Sequence, residues 1–263
     1  MLSSTANRLI GLLDEITPSG ELFCYNRVMQ TKDLDVVYFV RDGLTNEELR
    51  YSIRSVCANL PHNRIWIFGG CPKGIVPDVR IRVVQTGTTK WDRVRNMFEL
   101  ACKNKELTDD FVLFNDDFFV MQPTDTITPL YRCSLEDHIK ILESKWNGRP
   151  SEYSKLLRRV YKEFEGLSPL SYELHVPFIF NKKKLLAMLE QYPDLHCART
   201  TYGNIYNVGG EQSKDVKIFS VKTELDYKNL PFLSTDDSIV NVNNDVWRFI
   251  RKSFPKKCEY EEY

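Results

Sequence analysis

DVVYFVRDGLTNEELRYSIRSVCANLP (35–61) holds a whole strand–turn–helix unit. Residues 35–41 form a β-branched and aromatic run suited to a strand, and Asp42-Gly43 is a turn signal. Thr45 and Glu48 match a capping box, in which a hydroxyl and a carboxylate three residues on satisfy backbone donors reciprocally. Leu49, Ile53, Val56, Cys57 and Leu60 then share one helical face, and Pro61 closes the helix.

The pattern continues outward. RIWIFGG (64–70) reads as a buried strand and VRIRVV (79–84) as an alternating one. Thr88 or Thr89 caps a helix whose face is Trp91, Val94, Phe98, Ala101 and Cys102. FVLFNDDFFV (111–120) is a further apolar run, broken by two carboxylates. This order of elements predicts an α/β fold with a mostly parallel sheet covered by helices. Residues 135–165 are charged and helical, with Leu156, Leu157, Val160 and Phe164 on one face. They read as a helical insertion at about 130–170 within one domain spanning 1–263. HVPFIFN (175–181) and a helix over Lys182–Gln191 resume the α/β style. Residues 200–215, rich in Gly and Asn, predict a loop, and a last helix is expected over about Asn244–Phe254.

With 36 Lys+Arg against 36 Asp+Glu, the chain lacks the basic excess of a general nucleic-acid or anionic-membrane binder. Any anionic ligand must therefore be held by a local site. No apolar stretch reaches the roughly 18–20 residues that cross a bilayer. The opening MLSSTANRLIGLLDEI reads as an amphipathic helix, since Asp14 and Glu15 follow its apolar patch and no basic region precedes it. Seven cysteines, odd in number and without a C-x-x-C, predict reduced thiols and a cytoplasmic protein.

Asn115-Asp116-Asp117 carries the chemistry. Adjacent carboxylates in an apolar run are costly to bury, and a Mg²⁺ or Mn²⁺ ion offsets that cost, binding one or two carboxylates plus substrate phosphates. Neighbouring residues on a strand point to opposite faces, so both acids reach one ion only if the strand ends there. The alternative is a strand terminus whose carboxylates cap a turn. Asp42 lies past the first strand and the acidic pair near the end of the fourth, where open α/β sheets bind ligands. No G-x-G-x-x-G follows the first strand and no G-x-x-x-x-G-K-[ST] is present, which disfavours dinucleotide-dependent dehydrogenases and P-loop enzymes.

LDVVYFVRDG (34–43), NEELRYSIRSV (46–56), DDFVLFNDDFFV (109–120), HVPF (175–178) and FLSTDDS (232–238) occur in this order, ahead of SFPKKCEYE (253–261). That series resembles the four blocks of the Stealth proteins, which are capsular-polysaccharide phosphotransferases and the related N-acetylglucosamine-1-phosphotransferase. The resemblance implies a GT-A-like, Rossmann-like core that uses a nucleotide-sugar donor, a UDP-sugar, with Mg²⁺ or Mn²⁺. It implies a glycan, polyol or glycoprotein acceptor. Residue by residue, it gives Asp42 (with Asp35 as the other first-block acid), Arg50 and Arg199 to the donor and Asp116 and Asp117 to the metal. His175 takes the role of general base and Asp237 that of the fourth-block catalytic acid residue. An imidazole suits a base because its ordinary pKa lies near neutrality. The chain departs from the pattern at Val40-Arg41-Asp42, where the family has Trp-Val-Asp, and in KWDRVRNMFELACKN (90–104), which lacks the family's histidines.

The expected activity is transfer of a sugar 1-phosphate to a hydroxyl. A glycosyltransferase using the same donor, with release of nucleoside diphosphate, is the alternative. A non-catalytic glycan- or nucleotide-binding module is a third.

Overall fold

The computed structural model describes residues 29–84, 89–145, 147–194, 196–220, 223, 225–240 and 244–262. The expected N-terminal amphipathic helix and Thr88 lie outside them. The chain divides into two compact units. One, the sheet unit, comprises residues 29–128, 174–190 and 214–262, and the other comprises 129–173 and 191–213. No helix among the described residues is long and apolar enough to cross a membrane.

In the sheet unit, β1 (Asp35–Val40), β2 (Ile65–Gly69), β3 (Val79–Ile81), β4 (Asp110–Phe114) and β7 (Phe178–Asn181) form a sheet in the order β3-β2-β1-β4-β7. The first four run parallel and β7 pairs antiparallel with β4. The mostly parallel α/β architecture is the one the sequence predicts. Helix α1 (Glu47–Asn59) covers one face, where Leu49, Ile53 and Val56 join Val36, Tyr38, Val40, Ile67, Val112 and Phe114 in one core. The opposite face receives α2 (Lys90–Lys103), whose Phe98 ring meets Phe39 at 4.9 Å and Phe180 at 5.3 Å. Alternation along β1 thus serves both layers, as strands buried on two faces require.

Local signals need adjustment at several points. Asn46, not Thr45, caps α1, its Oδ1 accepting from the Leu49 N–H at 2.8 Å. Thr89 caps α2 in a capping box with Asp92. Met97 rather than Val94 turns inward on α2, because the buried stripe there is Met97, Phe98, Ala101 and Cys102. β3 stops at Ile81 instead of reaching residue 84.

Residues 111–120 are two strands instead of one. β4 ends at Phe114, Asn115–Asp117 turn, and β5 (Phe118–Val120) enters a second sheet with β10 (Phe232–Thr235) and β9 (Lys217–Ile218), in the order β5-β10-β9. The outer edge of β5 is closed by a polar stripe on α1. Ser52 Oγ donates to the Phe118 carbonyl, Ser55 Oγ accepts from the Val120 N–H at 2.9 Å, and Asn59 Nδ2 donates to the Val120 carbonyl at 2.7 Å. A helix face of serines thereby satisfies backbone groups that an edge strand would leave bare. Beneath this second sheet, Phe119, Ile218 and Leu233 pack with Ile239 of α7 (Asp237–Val240) and with Val246, Trp247 and Ile250 of α8 (Asp245–Ser253). Helix α5 (Lys182–Gln191) follows β7 directly.

The other unit contains α3 (Leu135–Ser144), α4 (Glu152–Glu163), α6 (Ala198–Ile205) and a parallel pair, β6 (Leu130–Tyr131) with β8 (Glu211–Gln212). Of the face the periodicity predicts, Leu157, Val160 and Phe164 are buried and Leu156 is half-buried. Residues 198–205, expected as loop from residue 200 onward, form a helix; Gly203 is kept there by the Tyr172 ring, which a Cβ would meet at 2.4 Å.

Gly70, just after β2, abuts the turn that follows β1: a Cβ there would sit 2.3 Å from the Arg41 carbonyl oxygen and 2.8 Å from the Asp42 Cα. Backbone cannot yield as a flexible side chain does. Gly70→Ala is expected to cost about 2–4 kcal/mol, a fall in Tm on the order of 5–15 °C that scanning calorimetry would register.

Candidate functional site

The site grows from the turn at the end of β4. Asp117 is 7% exposed, and its Oδ2 accepts from Lys217 Nζ at 2.8 Å and from Ser234 Oγ at 2.9 Å. Its carbonyl accepts from the Thr235 N–H at 3.2 Å. A buried carboxylate is tolerable only when paired and hydrogen-bonded, and both conditions are met here. Asp116 is half-buried, and its Oδ2 accepts from Asn46 Nδ2 at 2.7 Å. Asn46 therefore caps α1 with its oxygen and holds Asp116 with its nitrogen. Glu48, the second residue of α1, is buried and accepts from Thr235 Oγ1 at 2.7 Å.

Negative charge accumulates at this point. Burial, and then the neighbouring Asp117, push the Asp116 carboxyl upward. Burial, with Asp117, Asp116 and Asp237 adding to it, pushes Glu48 up to about 8 despite the Thr235 bond. Burial alone would lower Lys217, but the Asp117 carboxylate outweighs it and holds the ammonium charged. Lys217 and Arg41 bring positive charge to these acids.

Asp42 is exposed in the bend that follows β1. Asp237 opens α7 and pairs with Arg41 at 3.4 Å in an ion pair more than two-thirds exposed on both sides. Such a pair adds little stability, but it brings the chain after β1 together with the chain after β10. Arg50 is taken up by structure: it donates to Glu47 at 3.0 Å, to Glu261 at 2.8 Å and to the Lys73 carbonyl at 3.4 Å. Arg54 reaches the same Glu261 with two donors, at 2.6 and 2.8 Å, and burial notwithstanding they hold its carboxyl down to about 2. Asp35, the other first-block acid, is fully buried at the opposite end of β1, accepting from Asn63, the Thr108 N–H and Arg64. Arg199 lies in the first turn of α6, in the other unit.

His175, just ahead of β7, is clamped by Asp215. Its Nδ1 lies 3.0 and 2.9 Å from the two carboxylate oxygens, and its backbone N–H donates to Oδ1 at 3.2 Å. An ionised carboxylate only accepts, so Nδ1 carries the proton and Nε2 is the acceptor nitrogen of the neutral ring. The imidazole stands nearly perpendicular to Phe118, at 6.3 Å, and to Phe219, at 6.0 Å. Phe118 directly follows Asp117, which ties the histidine to the acidic turn.

Asn46, Glu48, Ser234, Thr235, Lys217 and Asp215 escaped the sequence reading as site residues. Most are polar residues with no local signature, joined to their partners across 70 to 187 positions. DVKIF (215–219) did carry a signal: Val216 and Ile218 are buried, so Asp215, Lys217 and Phe219 alternate onto the other side.

Among the described residues no group of three or more His, Cys, Asp or Glu could hold a metal ion by itself. The donor set nonetheless fits a hard cation such as Mg²⁺ or Mn²⁺, which keeps its waters and takes one or two carboxylates with substrate phosphates. Asp116 and Asp117 would supply the carboxylates.

The fold and site define a mixed α/β protein with an acidic turn at the carboxyl edge of a mostly parallel sheet. Among solved structures the chain is similar to a galactosyltransferase, LgtC, in a complex with donor and acceptor sugar analogues. The TM-score is 0.45 and the identity 13%, over 86% of this chain and 98% of that one. No family model matches the chain, and no curated protein matches it in sequence.

Glu48 makes folding depend on pH. Between its ordinary 4.5 and about 8 the folded protein keeps a proton that the unfolded chain has lost, so this group makes stability fall as pH rises through that window. Glu48→Gln should flatten the decline of Tm across that range in chelator-treated protein, as thermal melts at stepped pH would register.

Proposed function

We propose that the chain is a nucleotide-sugar-dependent transferase, moving a sugar 1-phosphate from a UDP-sugar to a hydroxyl of a glycan, polyol or glycoprotein. The observation that carries this is the convergence, within one unit, of the acidic turn at Asp116-Asp117 with a histidine held in one tautomer by Asp215. The order of the sequence blocks that supply these residues supports the phosphotransfer chemistry.

Asp116 and Asp117 would hold Mg²⁺ or Mn²⁺, which supplies charge neutralisation for the donor diphosphate. Lys217, 2.8 Å from Asp117, adds fixed positive charge beside it. Asp42 faces the donor from the end of β1, while Asp237 keeps the catalytic role the resemblance implies. His175 Nε2 takes the proton as the acceptor oxygen bonds to the phosphorus bearing the sugar, and the bond to the nucleoside phosphate breaks. Arg50 serves the reaction indirectly, by fixing the C-terminal segment to α1 through Glu261.

His175→Ala should lower kcat by about 10²–10⁴-fold while leaving donor binding intact, as steady-state kinetics and thermal shift would separate. Asp116→Asn should abolish the Mn²⁺-dependent stabilisation by UDP-N-acetylglucosamine, which reaches about 2.7 kcal/mol in the parent protein at 100 times the dissociation constant. Phosphorus NMR of the products reads the reaction type. A phosphodiester with nucleoside monophosphate is expected, whereas release of nucleoside diphosphate would establish glycosyl transfer instead.

A further inference from the structure

We propose that Phe219 is a stacking platform for a pyranose ring of the acceptor, seating one of its hydroxyls against His175. The inference deepens the proposed function and rests on it for the role of His175.

Phe219 is 63% exposed, the one aromatic among the large hydrophobics that stand out to solvent in the described residues. Its exposure follows from the alternation of DVKIF (215–219). Val216 and Ile218 go to the core, the latter against Phe119 and Leu233, so Asp215, Lys217 and Phe219 emerge on the other side. Each of the three is tied to the site. Asp215 clamps the His175 ring, Lys217 pairs with Asp117, and Phe219 stands at 88° to the His175 ring with centroids 6.0 Å apart. The Lys217 ammonium lies 5.7 Å from the Phe219 centroid, so a cation–π contact and an edge contact hold the phenyl in place.

A fixed, exposed phenyl has few uses. It contributes nothing to the core, and leaving its surface in water forgoes roughly 1.5–3 kcal/mol of burial. A flat apolar surface beside polar groups recognises a ligand with one apolar face and a hydroxylated rim. A pyranose has that character: its axial C–H groups, made positive by the ring oxygens, meet the negative face of an aromatic ring while its hydroxyls stay at the edge. The position selects the acceptor over the nucleobase. Phe219 adjoins the proton acceptor of the attacking hydroxyl, and Lys217 stands between it and Asp117, one of the acids that would hold the cation for the diphosphate. Ring-free polyols have no such face and would gain nothing from Phe219.

The test measures binding directly on the full chain. Methyl β-D-glucopyranoside and methyl β-D-galactopyranoside are examined by saturation-transfer NMR against the parent protein, Phe219→Ala and Phe219→Trp, with ribitol as the ring-free control. Thermal shift with UDP-N-acetylglucosamine and Mn²⁺ runs in parallel. The expected result is saturation of ring C–H protons in at least one pyranoside, weakened about tenfold in Phe219→Ala and retained in Phe219→Trp, with the donor shift equal in all three proteins. Equal pyranoside binding in Phe219→Ala and the parent, or none in the parent, overturns the platform and leaves the proposed function standing. Loss of the donor shift in Phe219→Ala alone also overturns it, and assigns the ring to the nucleobase. Absence of any donor shift in the parent defeats the nucleotide-sugar reading, while Phe219-dependent pyranoside binding would still uphold a glycan site.

Discussion

Burying the Asp117 carboxylate is the constraint from which this end of the sheet unit follows. A carboxylate 7% exposed requires a cation and further donors, and the chain draws them from β9 and β10, about a hundred residues away. The Asp117 carbonyl accepts from the Thr235 N–H, so the backbone at this point pairs toward β10 instead of the five-stranded sheet. The chain therefore turns and starts the second sheet. Helix α1 is committed by the same arrangement: Asn46 and Glu48 serve the acids at its start, and its serines close β5 further along. One electrostatic requirement thus couples helix capping, strand termination and sheet pairing.

Two interior acid clusters of the sheet unit are resolved differently. Glu261 is matched by two arginines and held down to about 2, a closed structural pair. Glu48 and Asp116 are under-compensated and pushed upward by burial and by one another. The first is a matched ion pair, the second a crowding of acids with fewer cations beside them.

The legible part of the sequence was the part written in local periodicity. β1, the face of α1, β2, helix 182–191 and the buried face of α4 came from apolar spacing, since that spacing is itself what buries one side of an element. Errors arose where two local signals competed. Thr45 and Glu48 made a capping box on paper, but Glu48 is engaged by Thr235 and Asn46 is the better-placed cap. Met97 displaced Val94 on α2 because the helix is rotated to bring Phe98 onto Phe39 and Phe180. Helix 198–205 was hidden by its glycine, which serves close packing against Tyr172.

For the site, the sequence by itself determined which residues are chemically costly: two adjacent acids in an apolar run, and a histidine before a short strand. Cost is a property of residue type and immediate neighbours, so it can be read along the chain. Only the tertiary structure decided what meets that cost: Lys217, Ser234 and Thr235 at the acids, and Asp215 at the histidine. Partners of buried polar groups are chosen by proximity after folding. A hydrogen bond spanning a hundred residues leaves no period or spacing in the sequence, whereas the burial that makes it necessary does.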